Sequence, residues 1–279
     1  MPTSTQRSPT LPRPIHITYP HLARVDGSAQ FSFGAPFSSS PTTKTNDEPS
    51  TSALASTSGP IEVRLASEDP TKATLDVTVR PLSGIPATEA KALGVVLKGV
   101  LGAVVLAGMH PRTMVQIVVQ GISGGGGRGG GDDALTAAMI NASSLSLLNA
   151  GSVPMRGIIC AVPIGRRRAD GKLLVDPEAR EKLDVHGCFA FVVTVGKGGE
   201  RSLRCVWSNW RGEGFDESAL AEAIEMAAGA AGVVYEAMYE SVVVGGKEAL
   251  GAAEVKAKGK GKAADNNEVE EADDDKMEI

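Results

Sequence analysis

The segment DDALTAAMINASSLSLLNAGSVPMR, residues 132–156, decides the fold, because its pattern predicts a long helix that is buried on most of its sides. Asp132 and Asp133 are typical N-cap and first-turn residues, since carboxylates accept hydrogen bonds from the unpaired amides there. Gly151 suits the left-handed conformation that ends a helix, and Pro154 prevents its continuation. Apolar side chains recur at helical spacing, at Leu135, Ala138, Met139, Ala142, Leu145 and Leu148.

Working outward, the strands and helices predicted on either side describe an α+β domain over residues 21–245. Strands are predicted at 22–34, 61–65, 73–80 and 113–122 before the buried helix, and at 157–164, 187–195 and 202–210 after it. Further helices are predicted at 86–107 and 216–243, each with an apolar face. The order suggests a mixed sheet covered by helices, in two similar halves.

Four segments are poor in apolar residues and are predicted to lie outside this framework. Residues 1–20 form a disordered N-terminal arm, and residues 35–50 form an insertion at a hairpin tip. Residues 123–131, SGGGGRGGG, form a flexible connection and lack the Gly-Lys-Ser/Thr ending of a phosphate loop. Residues 246–279 form a disordered tail that is first basic and then acidic.

Composition places the chain among globular proteins, with 279 residues of which 42% are hydrophobic and only 4% aromatic. Cys160, Cys188 and Cys205 lie in apolar runs without metal spacing, which predicts reduced core residues and a reducing compartment. The most apolar segment, residues 94–109, contains Lys98 and is shorter than the roughly 20 residues that cross a bilayer. No membrane segment, secretion signal, metal site or cofactor is therefore expected.

The net charge argues against a strongly basic nucleic-acid binder. It is −5 overall, but the last fifteen residues carry −7, so the preceding residues carry about +2. Any contact with RNA is therefore expected to be local, or shared with partner subunits.

Several motifs in order resemble the RNase PH family, in the branch that builds the eukaryotic RNA exosome ring. They span residues 22–243: ARVDGSAQFSFG (23–34), GPIEVR (59–64), ATLDVTVRPLSGIP (73–86), HPRTMVQIVVQ (110–120), ALTAAMINA (134–142) and NAGSVPMRGIICAVPIG (149–165).

The resemblance implies a fold like the second domain of ribosomal protein S5, a β-α-β-α unit that is duplicated within the domain. It also implies other RNase PH-like ring subunits, S1/KH cap subunits, an associated exoribonuclease and single-stranded RNA as partners. The location implied is the nucleus and nucleolus, and also the cytoplasm.

Active relatives hold phosphate with a Gly-Gly-Thr-Arg sequence at the start of the helix that corresponds to residues 134–150. Here Asp132, Asp133 and Ala134 replace Gly-Gly-Thr, and Leu135 stands where the arginine belongs. Two carboxylates repel a phosphate, so the sequence predicts a degenerate phosphate site.

The acidic pair of the active relatives is also incomplete in this sequence. Asp176 matches the first acid, but the second falls at Gly187 or Cys188, and Asp184 is displaced by a few residues. Because a lone loop carboxylate is more often a surface residue, no catalytic residue is predicted.

Five arginines are candidate RNA contacts: Arg80 and Arg112 at strand ends, and Arg166, Arg167 and Arg168 in a basic turn. Guanidinium groups suit phosphates, although such residues also serve as ordinary surface charges.

Two functions remain at this point: a non-catalytic structural subunit of the exosome ring, supporting 3′-to-5′ RNA processing and degradation, or an active phosphorolytic or hydrolytic 3′-exoribonuclease. The substitutions at residues 132–135 favour the first.

Overall fold

The structure is a computed structural model that describes residues 8–34, 50–81, 83–124, 130–178, 181–196, 198–212 and 216–270. The sequence also makes predictions for residues outside these ranges: the first seven residues of the arm, residues 35–49 of the insertion, most of the glycine-rich connection and the last nine residues.

The first sheet is mixed, with the strand order β1-β2-β3-β5-β4. Its strands are β1 (Ile15–Thr18), β2 (Gly27–Phe33), β3 (Thr51–Glu62), β4 (Thr74–Arg80) and β5 (Thr113–Ser123). Only the pairing of β4 with β5 is parallel. Helix α1 (Thr88–Gly102) makes the crossover that a parallel pair requires.

The second sheet is antiparallel, with the order β10-β8-β6-β7 and with β9 also paired to β8. Its strands are β6 (Ile158–Arg167), β7 (Leu173–Val175), β8 (Leu183–Val195), β9 (Arg201–Ser208) and β10 (Arg211–Gly212). Together with the first sheet this gives the α+β class that the sequence predicts.

Helix α2 (Gly130–Ala150) is the predicted buried helix, and it packs against strands of both sheets. On the side of the first sheet, Ser146 shares a buried hydroxyl hydrogen bond of 2.8 Å with Thr57 of β3. On the side of the second sheet, Asn141 donates to Ala161 O at 2.9 Å and accepts from Ala161 N at 2.7 Å. Polar side chains of α2 thus bond directly to buried positions of both sheets.

Gly27 allows α2 to approach the first sheet this closely. A Cβ atom at residue 27 would overlap Ser146 O and Ala150 N of the helix. Gly27 is the first residue of β2, and its lack of a side chain leaves room for the helix backbone. Gly151 adopts the predicted left-handed conformation after the helix, with φ of 64°.

Two predictions for the first half are wrong in part. Residues 15–18 of the predicted disordered arm form β1, which pairs with β2. The strand predicted at 61–65 is β3, which begins ten residues earlier at Thr51. Small residues such as Ala53 and Ala55 give a weak strand signal, yet they are fully buried in the sheet that α2 covers.

Helix α3 (Glu217–Glu270) continues past Gly246, where the sequence predicts a disordered tail, so that boundary is wrong for the backbone. The extension is rich in Ala, Lys and Glu, which favour helix without needing an apolar core. Contacts divide the chain into two units, Met1–Ala237 and Met238–Ile279. In the first unit, α3 buries a face of small residues that includes Ala223, Ala227 and Ala231.

The three cysteines are free thiols. Cys160 and Cys188 are buried, as predicted, and burial raises the pKa of both thiols. The prediction is wrong for Cys205, which is exposed on β9. Among the described residues, no helix is long and apolar enough to cross a membrane.

Candidate functional site

The start of α2 carries the residues of the predicted degenerate phosphate site. The helix begins at Gly130, so Asp133 lies inside the first turn and does not cap the helix. Its side chain is 2% exposed, and the carboxylate accepts hydrogen bonds from His186 Nδ1, Asn209 Nδ2 and an Arg211 guanidinium nitrogen. The last two distances are 3.0 and 3.1 Å. We call these four residues the Asp133 cluster.

Three members of the Asp133 cluster are not predicted by the sequence pattern. His186 belongs to β8, Asn209 follows β9 and Arg211 belongs to β10. They are 53, 76 and 78 residues from Asp133, and no local pattern marks them. The pairing of β8 with β10 brings them together, since Arg211 and His186 are register partners.

The other predicted members of the degenerate site are apolar or lack a described side chain. Ala134 is buried, and Leu135 lines a cleft of about 560 Å³ between α1, the end of β4 and the start of α2. Asp133, Asn209 and Arg211 form one polar part of the cleft lining, and Trp207 adds an aromatic surface. The side chain of Asp132 is outside the described part of the chain.

The position of the missing second acid has no room for a side chain. A Cβ atom at Gly187 would lie 2.8 Å from Trp210 Cα and 3.0 Å from Trp210 N. The side chain of neighbouring Cys188 is fully buried. Asp184, the displaced acid, pairs with Arg166 and Arg168. None of these positions presents a free carboxylate.

Asp176 is a structural residue in this fold, and the expectation of a surface position for it is wrong. Its side chain is fully buried and holds Arg13, whose Nε lies 2.7 Å and whose terminal nitrogen lies 2.8 Å from the carboxylate. The same guanidinium donates to Thr51 Oγ1 at 3.3 Å. Asp176 has a left-handed φ of 51°, a conformation that aspartate tolerates better than most residues.

Arg80 and Arg112 lie at opposite ends of the parallel β4–β5 pair, so the structure does not bring these two candidate RNA contacts together. Arg80 pairs with Gln120 at the carboxyl end of β4, next to the cleft, while Arg112 precedes β5. Arg112 and Gln120, the register partner of Arg80, are eight residues apart, which is roughly 26 Å at about 3.3 Å per residue. Arg112 is 71% exposed, and its Nε is 3.6 Å from Glu68.

The three consecutive arginines are divided between β6 and the turn that follows it. Arg166 and Arg167 belong to β6, so only Arg168 lies in the predicted turn. Arg167 pairs with Asp170 and Glu181, and Arg166 and Arg168 share Asp184. Their role in RNA binding stays a prediction, as it does for Arg80 and Arg112. Within the described ranges no group of histidine, cysteine and acidic residues has metal-binding geometry.

Comparison with known proteins identifies the family. Residues 12–152, half of the chain, match domain 1 of the 3′ exoribonuclease family, RNase PH. The chain belongs to this family. That match contains all of the first sheet and the whole of α2, including Asp133 and Leu135.

The relatives of this RNase PH family member fall in the predicted branch. It is 30% identical over 150 residues to exosome complex component RRP46 of Saccharomyces cerevisiae, covering 53% of this chain and 67% of that protein. It is 27% identical over 176 residues to the rice protein named exosome complex exonuclease RRP46 homolog, covering 63% of this chain and 64% of that protein. The matched segments cover between 53% and 67% of the length of these two relatives and of a third curated relative.

The fold of this RNase PH family member resembles that of rice Rrp46 in its crystal structure. The TM-score is 0.68 at 24% sequence identity, over 85% of this chain and 97% of that one. This likeness confirms the predicted RNase PH-like fold.

Proposed function

We propose that this protein is a non-catalytic structural subunit of an exosome core ring and supports 3′-to-5′ RNA processing and degradation. Its relatives carry the name of an exosome complex component, and its fold resembles one of them. The observation that carries the non-catalytic part is the Asp133 cluster. A carboxylate stands where active members of the family hold phosphate.

The electrostatics of this position oppose phosphorolysis. A phosphate bound at the start of α2 would meet the Asp133 carboxylate, which already accepts hydrogen bonds from the donors around it. Leu135 in the cleft lining offers no charge or hydrogen bond to a phosphate. The acidic pair is also absent, because the Asp176 carboxylate is held in a buried ion pair with Arg13.

The second candidate function is an active 3′-exoribonuclease. The observation that favours it is the word exonuclease in the name of the rice relative. A hydrolytic enzyme of this class needs no phosphate site, so phosphate-free reactions are required to separate the two candidates.

The purified protein is expected to release no nucleoside diphosphates from single-stranded RNA, because the phosphate position is filled by Asp133 and flanked by Leu135. Chromatography of products with and without phosphate measures this. Unfolded protein from the same preparation is the control for contaminating nucleases. Phosphate-dependent release above that control would contradict the proposal, and phosphate-independent release of monophosphates would favour hydrolysis.

Ring assembly is the direct test of the structural role. Co-expression with the other RNase PH-like ring proteins of the same source is expected to give a stable complex that contains this chain. The proposal extends to S1/KH cap subunits, an associated exoribonuclease and threaded single-stranded RNA, in the nucleus, nucleolus and cytoplasm. A chain that elutes alone in size-exclusion chromatography, while the other subunits assemble, would contradict the structural role.

Arg112→Glu is expected to weaken protection of RNA by the reconstituted ring, since its exposed guanidinium is suited to a phosphate contact. The loss is expected to shrink as salt rises, because phosphate contacts release counterions. Arg204→Glu is the matched control, because Arg204 is exposed on β9 and is not one of the candidate RNA contacts. Equal protection by Arg112→Glu and wild-type rings at low and moderate salt would assign Arg112 a structural role only.

A further inference from the structure

In the Asp133 cluster, hydrogen-bond donors surround a single buried carboxylate. Three donors from three different segments, His186 Nδ1, Asn209 Nδ2 and an Arg211 nitrogen, converge on one carboxylate. A carboxylate only accepts, so His186 must carry its proton on Nδ1. The pattern of charged and neutral donors matches what an oxyanion requires.

The orientation of one donor is set independently of Asp133. Asn209 Oδ1 accepts a hydrogen bond from Cys188 N, and Asn209 N donates to Cys188 O at 3.2 Å. These two bonds to β8 fix the amide, so that its Nδ2 points toward the carboxylate position whether or not an anion is there. The Asn209 donor is therefore preorganised by the second sheet.

The positive charge of Arg211 makes the donor array selective for an anion. Arg211 is half exposed at the cleft, and Asp133 is the only acid with which it forms an ion pair among the described residues. Without the Asp133 carboxylate the guanidinium would retain its charge, and Asn209 Nδ2 would lose the acceptor that now satisfies it. An oxyanion that enters from the cleft would restore both interactions.

We propose that Asp133 acts as a built-in anion, which fills a pocket for a small oxyanion such as inorganic phosphate and thereby excludes that ligand. This deepens the proposed function, on which it rests, by naming the group that keeps the phosphate position occupied. It differs from simple repulsion by the acidic helix start. Simple repulsion of phosphate would depend equally on the charges of Asp132 and Asp133. Occupation of the pocket by the Asp133 carboxylate depends instead on the three donors that bond it.

The experiment measures binding of inorganic phosphate to the full chain by calorimetry and by thermal unfolding, with chloride at equal ionic strength as the reference. Asp133→Ala is expected to bind phosphate at least about tenfold more tightly than the wild type, since a charged competitor is removed from charged donors. Asp132→Ala is the matched control, because it removes the same charge one residue away. Arg211→Ala, added to Asp133→Ala, is expected to abolish the gain.

Asp133→Ser serves as a second variant should Asp133→Ala not fold. The comparison is repeated in an Asp132→Ala background, so that residual repulsion from Asp132 cannot hide the pocket. The inference is wrong if removing Asp133 gives no tighter binding in either background, if Asp132→Ala gives the same gain, or if the gain survives the loss of Arg211.

These experiments test the proposed function and the inference of a built-in anion separately. Phosphate-dependent RNA cleavage by the wild type would overturn the proposed function whatever the variants bind. A variant without Asp133 that ignores phosphate would overturn only the inference of a built-in anion.

Discussion

Replacing Asn141 by Ala is expected to lower the free energy of unfolding by roughly 2–6 kcal/mol. The Asn141 side chain is fully buried in the middle of α2 and bonds both backbone groups of Ala161 in β6. These two backbone groups face away from β8. They also lie beyond the end of β7, which pairs only with residues 164–166 of β6. The variant would leave a buried N–H and a buried C=O without partners, and each such loss costs about 1–3 kcal/mol.

Urea unfolding of the full chain, followed by circular dichroism, measures this loss. Asn149→Ala is the matched control on the same helix, since Asn149 makes one hydrogen bond of 3.0 Å, to Ser28 O, near the solvent-exposed end. The control is expected to cost about 1 kcal/mol. Equal midpoints for the two variants would mean that the contact with β6 contributes no more than an ordinary surface hydrogen bond.

Breaking the Arg13–Asp176 ion pair is the second change with a large expected effect, roughly 3–5 kcal/mol. Both side chains are almost fully buried, at 5% and 0% exposure, so removing one partner leaves an uncompensated charge. The pair links the segment before β1 to the residue that follows β7, and Thr51 of β3 joins them. Arg13 thus connects both sheets through one guanidinium.

A double-mutant cycle separates the pair from its surroundings. Asp176→Asn keeps a residue that tolerates the left-handed backbone, and Arg13→Met keeps most of the buried aliphatic stem. The double variant is expected to cost less than the sum of the single variants, because no buried charge remains. Strict additivity in urea unfolding would show that the two side chains do not depend on each other.

Much of this protein follows from local sequence patterns. The apolar spacing of residues 132–156 predicts a buried helix, and Gly151 and Pro154 mark its end, because helix periodicity and termination depend on neighbouring residues. The ordered motifs between residues 22 and 243 predict the family, and the match over residues 12–152 confirms it. The loss of the Gly-Gly-Thr-Arg sequence at residues 132–135 is likewise visible without a structure.

The contacts that give these residues their roles depend on tertiary structure. Asp133 reads as a helix cap in the sequence, yet it bonds side chains 53 to 78 residues away, because β8, β9 and β10 converge at the start of α2. Asp176 reads as a surface turn, yet its partner Arg13 is 163 residues away. Strand order and register bring such residues together, and neither is contained in local periodicity. Arg80 and Arg112 show the same limit, because only the parallel register of β4 and β5 places them at opposite ends of a sheet.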